Sequence, residues 1–118
     1  MEKIYDQNGN VAGHLIGNTV YDINHRIIGY VNDPILYDAN CTQIGYVENG
    51  IIYNCMGMQM AYLNGWNVYN MRGNKIGYVH SSWLGLLAAG LLLGAAFGGF
   101  GDGYGYGYGY GYGYDGFF

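Results

Sequence analysis

The sequence predicts an all-β fold, a shallow closed antiparallel barrel of short hairpins, followed by one C-terminal apolar helix. Three observations carry this. A period of 16 residues runs through residues 2–82, each period holds two strand-forming runs and two turns, and from Trp83 the pattern gives way to an unbroken apolar stretch. Units this small cannot bury their own apolar faces, so they must stack on their neighbours.

The first strand of each unit ends in an aliphatic residue, then Tyr, then Asp or Asn. The tyrosines are Tyr5, Tyr21, Tyr37, Tyr53 and Tyr69, followed by Asp6, Asp22, Asp38, Asn54 and Asn70. β-branched and aromatic residues favour strands, and Asp or Asn favours the turn that follows. Four residues after each tyrosine stands Gly9, His25, Cys41, Gly57 or Gly73. A turn opened by Asp or Asn and closed on a left-handed residue suits glycine, so His25 and Cys41 are the less comfortable closures.

The second strand carries a column of small residues, Gly13, Gly29, Gly45, Ala61 and Gly77. Glycine weakens a strand, so five small residues in register require a close approach, either by backbone or by an aromatic ring lying over the missing side chain. The tyrosines of the first strand are the candidate rings. A second turn follows, explicit in Asn49-Gly50 and Asn64-Gly65 and served by Asp33-Pro34 in the second unit. Two strands and two turns in 16 residues leave no room for a parallel crossover, so the chain meanders antiparallel. Closing ten strands into a ring removes both exposed edges. The aliphatic residues before each tyrosine, with Val31, Val47 and Val79, are expected to fill the centre.

The columns resemble a known family. Ile28-Gly29-Tyr30-Val31, Ile44-Gly45-Tyr46-Val47 and Ile76-Gly77-Tyr78-Val79 are similar to the repeats of β-flower proteins, best known as four-fold β-flower domains. Ala12-Gly13-His14-Leu15 and Met60-Ala61-Tyr62-Leu63 depart from the pattern. Five units stand here, which implies a five-petalled form or a split terminal unit. The resemblance implies a radial barrel with a hydrophobic centre and no established biochemical function. Through a likeness to tubby-like and scramblase-like barrels, it also implies lipid or membrane association.

The sequence divides into the β-flower domain at 1–82, an apolar helix at 83–100 and a Gly/Tyr tail at 101–118, read as disordered. The 18 residues from Trp83 to Phe100 reach the lower length for a membrane span, with Ser81 or Ser82 able to cap the start and Gly98-Gly99 able to end it. Gly90, Gly94 and Gly98 are four apart, the spacing of a small-xxx-small ridge on which two helices pack. The favoured reading is therefore a non-enzymatic structural or interaction module, anchored in a membrane and self-associating as a homo-oligomer through a glycine zipper. Arg72 and Lys75 precede the helix and only Asp102 and Asp115 are charged after it, which places the N-terminal domain in the cytoplasm. The alternative is a cytoplasmic, soluble module binding lipid or acyl chains, with residues 84–100 as a plug.

Little chemistry is on offer. The formal charge is −4 and the four basic residues form no patch, so nucleic acid is not an expected partner. The acidic column continues as asparagine, which suits a turn cap and not acid/base catalysis. His14, His25 and His80 fall at different repeat phases, and no His-Cys spacing fits zinc. Cys41 and Cys55 permit one bridge that nothing in the spacing demands, and they are read as reduced thiols. MEKIYDQNG lacks an apolar h-region, so no cleaved secretion signal is expected. No catalytic residue, cofactor or metal site is predicted.

Overall fold

The computed structural model describes residues 1–96. Among these residues are ten strands: β1 (Glu2–Asp6), β2 (Val11–Ile16), β3 (Thr19–Asp22), β4 (Ile27–Asn32), β5 (Ile35–Asp38), β6 (Gln43–Glu48), β7 (Ile51–Asn54), β8 (Gln59–Asn64), β9 (Asn67–Asn70) and β10 (Lys75–Tyr78). Each pairs antiparallel with its chain neighbours, and β1 pairs with β10 to close the barrel. Two consecutive strands make one petal, and five petals make the ring.

The wider turn of each petal is built on one side chain. Asp6 Oδ1 accepts from the amides of Asn8 and Asn10 at 2.9 and 3.0 Å, and Asp22, Asp38, Asn54 and Asn70 repeat the arrangement in the other petals. The turn closes on a left-handed residue at Gly9, His25, Cys41, Gly57 and Gly73. His25 and Cys41 hold φ of 65° and 64°, where a Cβ is unfavourable.

Each petal also carries a bulge. Ile4 faces Gly13 but Tyr5 faces Val11, so Ala12 is the extra residue; Ile28, Ile44, Met60 and Ile76 are its equivalents. A bulge bends and twists its strand, and five in register give the sheet the curvature that closes it.

Alternation then sorts the side chains. Ile4, Val20, Leu36, Ile52 and Val68 point inward and are fully buried; Leu15, Val31 and Val47 in the facing strands and Val79 just after β10 are buried with them. The small column, Gly13, Gly29, Gly45, Ala61 and Gly77, shares this inner face. Eight strands already leave an interior just wide enough for side chains, so ten strands lined partly by glycine leave a hole.

Helix α1 (Trp83–Ala96) fills that hole. Ser82 caps it, its Oγ accepting from Gly85 N at 2.9 Å and its carbonyl from Leu86 N at 2.8 Å. Trp83 Nε1 donates to Asp33 Oδ2 at 2.9 Å, tying the helix start to the β4–β5 turn. From Gly85 to Leu93 every residue is buried, which is why the helix is apolar all round.

This overturns the membrane reading. The described helix has 14 residues, about 21 Å at ~1.5 Å per residue against a hydrocarbon core of about 30 Å. No described helix is long and apolar enough to cross a membrane. The zipper also fails, because Gly90 faces the barrel wall at Ile52 and not a second helix. Gly94 is partly buried in the same helix, while Gly98, the Gly98-Gly99 stop and the 101–118 tail lie outside the described residues. With the zipper gone, the membrane anchor, the homo-oligomer and the membrane localisation derived from it lose their basis. Uniform apolarity suits a bilayer and a barrel interior equally, so composition alone could not separate them.

Candidate functional site

The helix and wall fit by complementary size. A Cβ built on Gly13 would stand 2.6 Å from Leu92 Cδ2, and one on Gly29 would stand 3.0 Å from Leu91 Cδ2. Gly77 meets Leu93 in the same way, and the relation reverses at Gly90, where the helix is small and Ile52 is large. Residues 90 to 93 thus face β7, β4, β2 and β10 in turn around the ring. The neighbouring strand presses on the same positions, since the carbonyls of Tyr21, Tyr37 and Tyr5 crowd Gly13, Gly29 and Gly77. The close approach demanded by the glycine column is therefore supplied by leucines and carbonyls and not by tyrosine rings. An acyl chain has no place in this centre while the helix occupies it, which overturns the expected lipid ligand and keeps the plug.

The tyrosines lie on the opposite face and turn outward. Tyr46 stacks on Tyr53 with centroids 5.1 Å apart, Tyr62 on Tyr69 at 5.1 Å and Tyr78 on Tyr5 at 5.0 Å. His80 covers the other face of Tyr5 at 4.9 Å, and Lys75 Nζ sits 4.5 Å from the Tyr78 ring centre. These pairs bridge adjacent petals, so the column Tyr5, Tyr21, Tyr37, Tyr53 and Tyr69 contributes one ring to each junction. In the first unit His14 stands in the tyrosine column opposite Tyr21, and its ring stacks on His25 at 5.9 Å. His14 Nδ1 is buried and has no hydrogen-bond partner among the described residues.

At the second junction, the register neighbours Tyr30 and Tyr37 join Asn18, Asn32 and Cys41 around an outward cleft of ≈ 330 Å³. It offers two aromatic rings, two amides and no charge. The sequence reading missed it because Asn18 and Asn32 occupy turn-flanking positions whose ordinary role is local, and it is the side-by-side pairing of β3, β4 and β5 that brings Asn18 of the β2–β3 turn to the same cleft as Cys41 of the β5–β6 turn.

Charge is sparse. Asp22 is the one buried polar residue among those described. Its carboxyl is held below the usual range, chiefly by the Arg26 backbone amide, against the opposing effect of burial, with further help from the Arg26 guanidinium and the Asn24 amide. Arg26 Nε donates to Asp22 Oδ2 at 2.9 Å. Cys41 and Cys55 are free and exposed. Among the described residues, no group of three or more His, Cys, Asp or Glu is placed to hold a metal ion.

A family model described as a 5-fold beta-flower protein matches residues 1–114. The chain belongs to this family. The count of five petals is thereby the family's own, and of the two forms left open by the sequence, a five-petalled ring or a split terminal unit, the five-petalled one holds. No curated protein and no solved structure matches the chain.

Proposed function

We propose that this β-flower protein is a self-plugged interaction module that works through its outer aromatic girdle and has no ligand in its centre. The observation that carries this is the size complementarity between the glycine column and Leu91, Leu92 and Leu93, which leaves the interior committed to the chain's own helix. What stays available is the outside, where inter-petal ring pairs recur and the Tyr30–Tyr37 junction opens into a cleft. Flat rings beside amides, without charge, favour neutral planar or ring-shaped groups, which stack on tyrosine and take hydrogen bonds from asparagine.

A fragment screen by NMR on the full chain tests this reading. Binders are expected to shift the amides of Tyr30, Asn32 and Tyr37 and to lose affinity on Tyr37→Ala. Binders that instead shift Leu86 to Leu93, with release of the helix, would overturn it.

A further inference from the structure

The wide turn of the fourth petal differs from its four counterparts in a way the fold does not require. Between Asn54 and Gln59 it reads Cys55-Met56-Gly57-Met58. At the position of Met56 the other petals carry Asn8, Asn24, Asn40 and Arg72, and at that of Met58 they carry Asn10, Arg26, Thr42 and Asn74. Polar residues therefore satisfy both positions elsewhere, as expected at the tip of a turn. Met56 and Met58 are 80% and 55% exposed, so neither packs the core. Met60, next in the alternation, is the bulge residue packed against the core, and a core role accounts for it.

The backbone of this turn is held without help from those side chains. Asn54 Oδ1 accepts from Met56 N at 2.9 Å and Met58 N at 3.0 Å, and Gly57 takes the left-handed position at φ 82°. Two thioethers and a thiol are thus displayed on a fixed loop of five residues. On the adjacent petal Met71, 46% exposed, holds the position equivalent to Cys55. From Asn54 to Met60 there is no carboxylate and no imidazole.

Thiolate and thioether sulfur select soft ions such as Cu(I), whereas Mg²⁺ and Ca²⁺ need oxygen donors and zinc favours imidazole with thiolate. We propose that the fourth-petal turn binds a soft monovalent metal ion of the Cu(I) class, with Cys55, Met56 and Met58 as ligands. Binding displaces the Cys55 thiol proton to solvent, so that one proton leaves for each ion bound and no redox change occurs. The site stands apart from the Tyr30–Tyr37 cleft and its Cys41, and does not depend on that reading.

Ag(I), a redox-inert probe, tests the proposal on the full chain by competition against a thioether-containing chelator, with the methionine methyl resonances followed in parallel. One ion per chain is expected, shifting the Met56 and Met58 methyls but not that of Met60. Cys55→Ser and the pair Met56→Leu with Met58→Leu should each weaken binding at least tenfold, while Cys41→Ser leaves it unchanged. The leucine pair keeps the apolar surface and removes only sulfur. Undiminished affinity in that pair would mean a lone thiol and would overturn the proposal, as would equal loss on Cys41→Ser. Met56→Asn with Met58→Thr, which places the third petal's polar residues at the two positions, gives a second variant in which the same tenfold loss is expected and undiminished binding would overturn the proposal.

Discussion

Leu92 Cδ2 lies 2.6 Å from where a β-carbon on Gly13 would stand, and the carbonyl of Tyr21 crowds the same point from the neighbouring strand. A leucine can rotate away; a paired strand carbonyl cannot. Gly29 meets Leu91 and the Tyr37 carbonyl in the same way. Gly29→Val is therefore expected to destabilise by about 3 kcal/mol or more, at or above the upper range for overpacking a core. Denaturant unfolding checks it, and near-unchanged stability would show that the wall has room for a side chain at this point. Adding Leu91→Ala should fail to restore stability, because the carbonyl remains.

Gly90 has a softer neighbour. The obstacle to a side chain there is the Cδ1 of Ile52. Ile52→Val removes that atom and installs the residue that Val20 and Val68 supply in two other petals. Alone, Ile52→Val should cost about 0.5–1.5 kcal/mol. Gly90→Ala alone should be destabilising by about 1–3 kcal/mol, and the double variant should be more stable than the sum of the two, the mark of residues in direct contact. Strict additivity in thermal or urea unfolding would separate the helix from this part of the wall.

His25 and Cys41 hold the left-handed position that glycine holds in the other three petals. His25→Gly and Cys41→Gly are each expected to stabilise, by about 0.5–1 kcal/mol, since the relief of a Cβ in this region exceeds the added freedom of the unfolded chain. The shift in urea midpoint measures it. His25→Gly also removes the ring stacked on His14, so the smaller gain is expected there.

Asp22 sets an acid limit. Its carboxyl is depressed in the folded protein, so its contribution is fully present above the ordinary value of 3.8 and is lost as the pH falls through the lower folded value. Asp22→Asn keeps an oxygen acceptor for Asn24 and Arg26, as Asn54 and Asn70 show in their own turns. The variant should therefore lose less stability than wild type when taken from pH 5 to acid, while at neutral pH it lacks the Arg26 pairing. An identical acid profile for the two proteins, followed by circular dichroism, would contradict this.

The 16-residue period made the strands, the turns and their weak closures at His25 and Cys41 readable, because each is a local demand of backbone chemistry. The inward set from Ile4 to Val68 followed from alternation. The partner of the glycine column was not found, since a contact between Gly13 and Leu92 joins residues 79 positions apart and leaves no periodic trace. One signal did exist. A ten-stranded ring whose inner face is partly glycine is too wide for its own aliphatic residues, and the following segment is apolar on every side; each needs the other. Reading that segment as a bilayer span left the ring without contents. The Tyr30–Tyr37 cleft and the sulfur-bearing turn were likewise passed over, the first because it forms only across petals, the second because methionine draws notice only against the polar residues of its counterparts.

The ring is latched where β1 meets β10, through Tyr5 opposite Tyr78 and Asp6 opposite Gly77. Those partners come from opposite ends of the repeat, so a ribosome that has released four petals has released an unfinished ribbon with both borders bare, the state most prone to pair with a stranger. The latch and the stuffing then arrive together, β10 followed within five residues by α1. Late-emerging sequence thus governs whether the early petals ever become a barrel, and truncation between Asn74 and Leu93, which removes the latch or the stuffing, forfeits the whole assembly rather than its last piece.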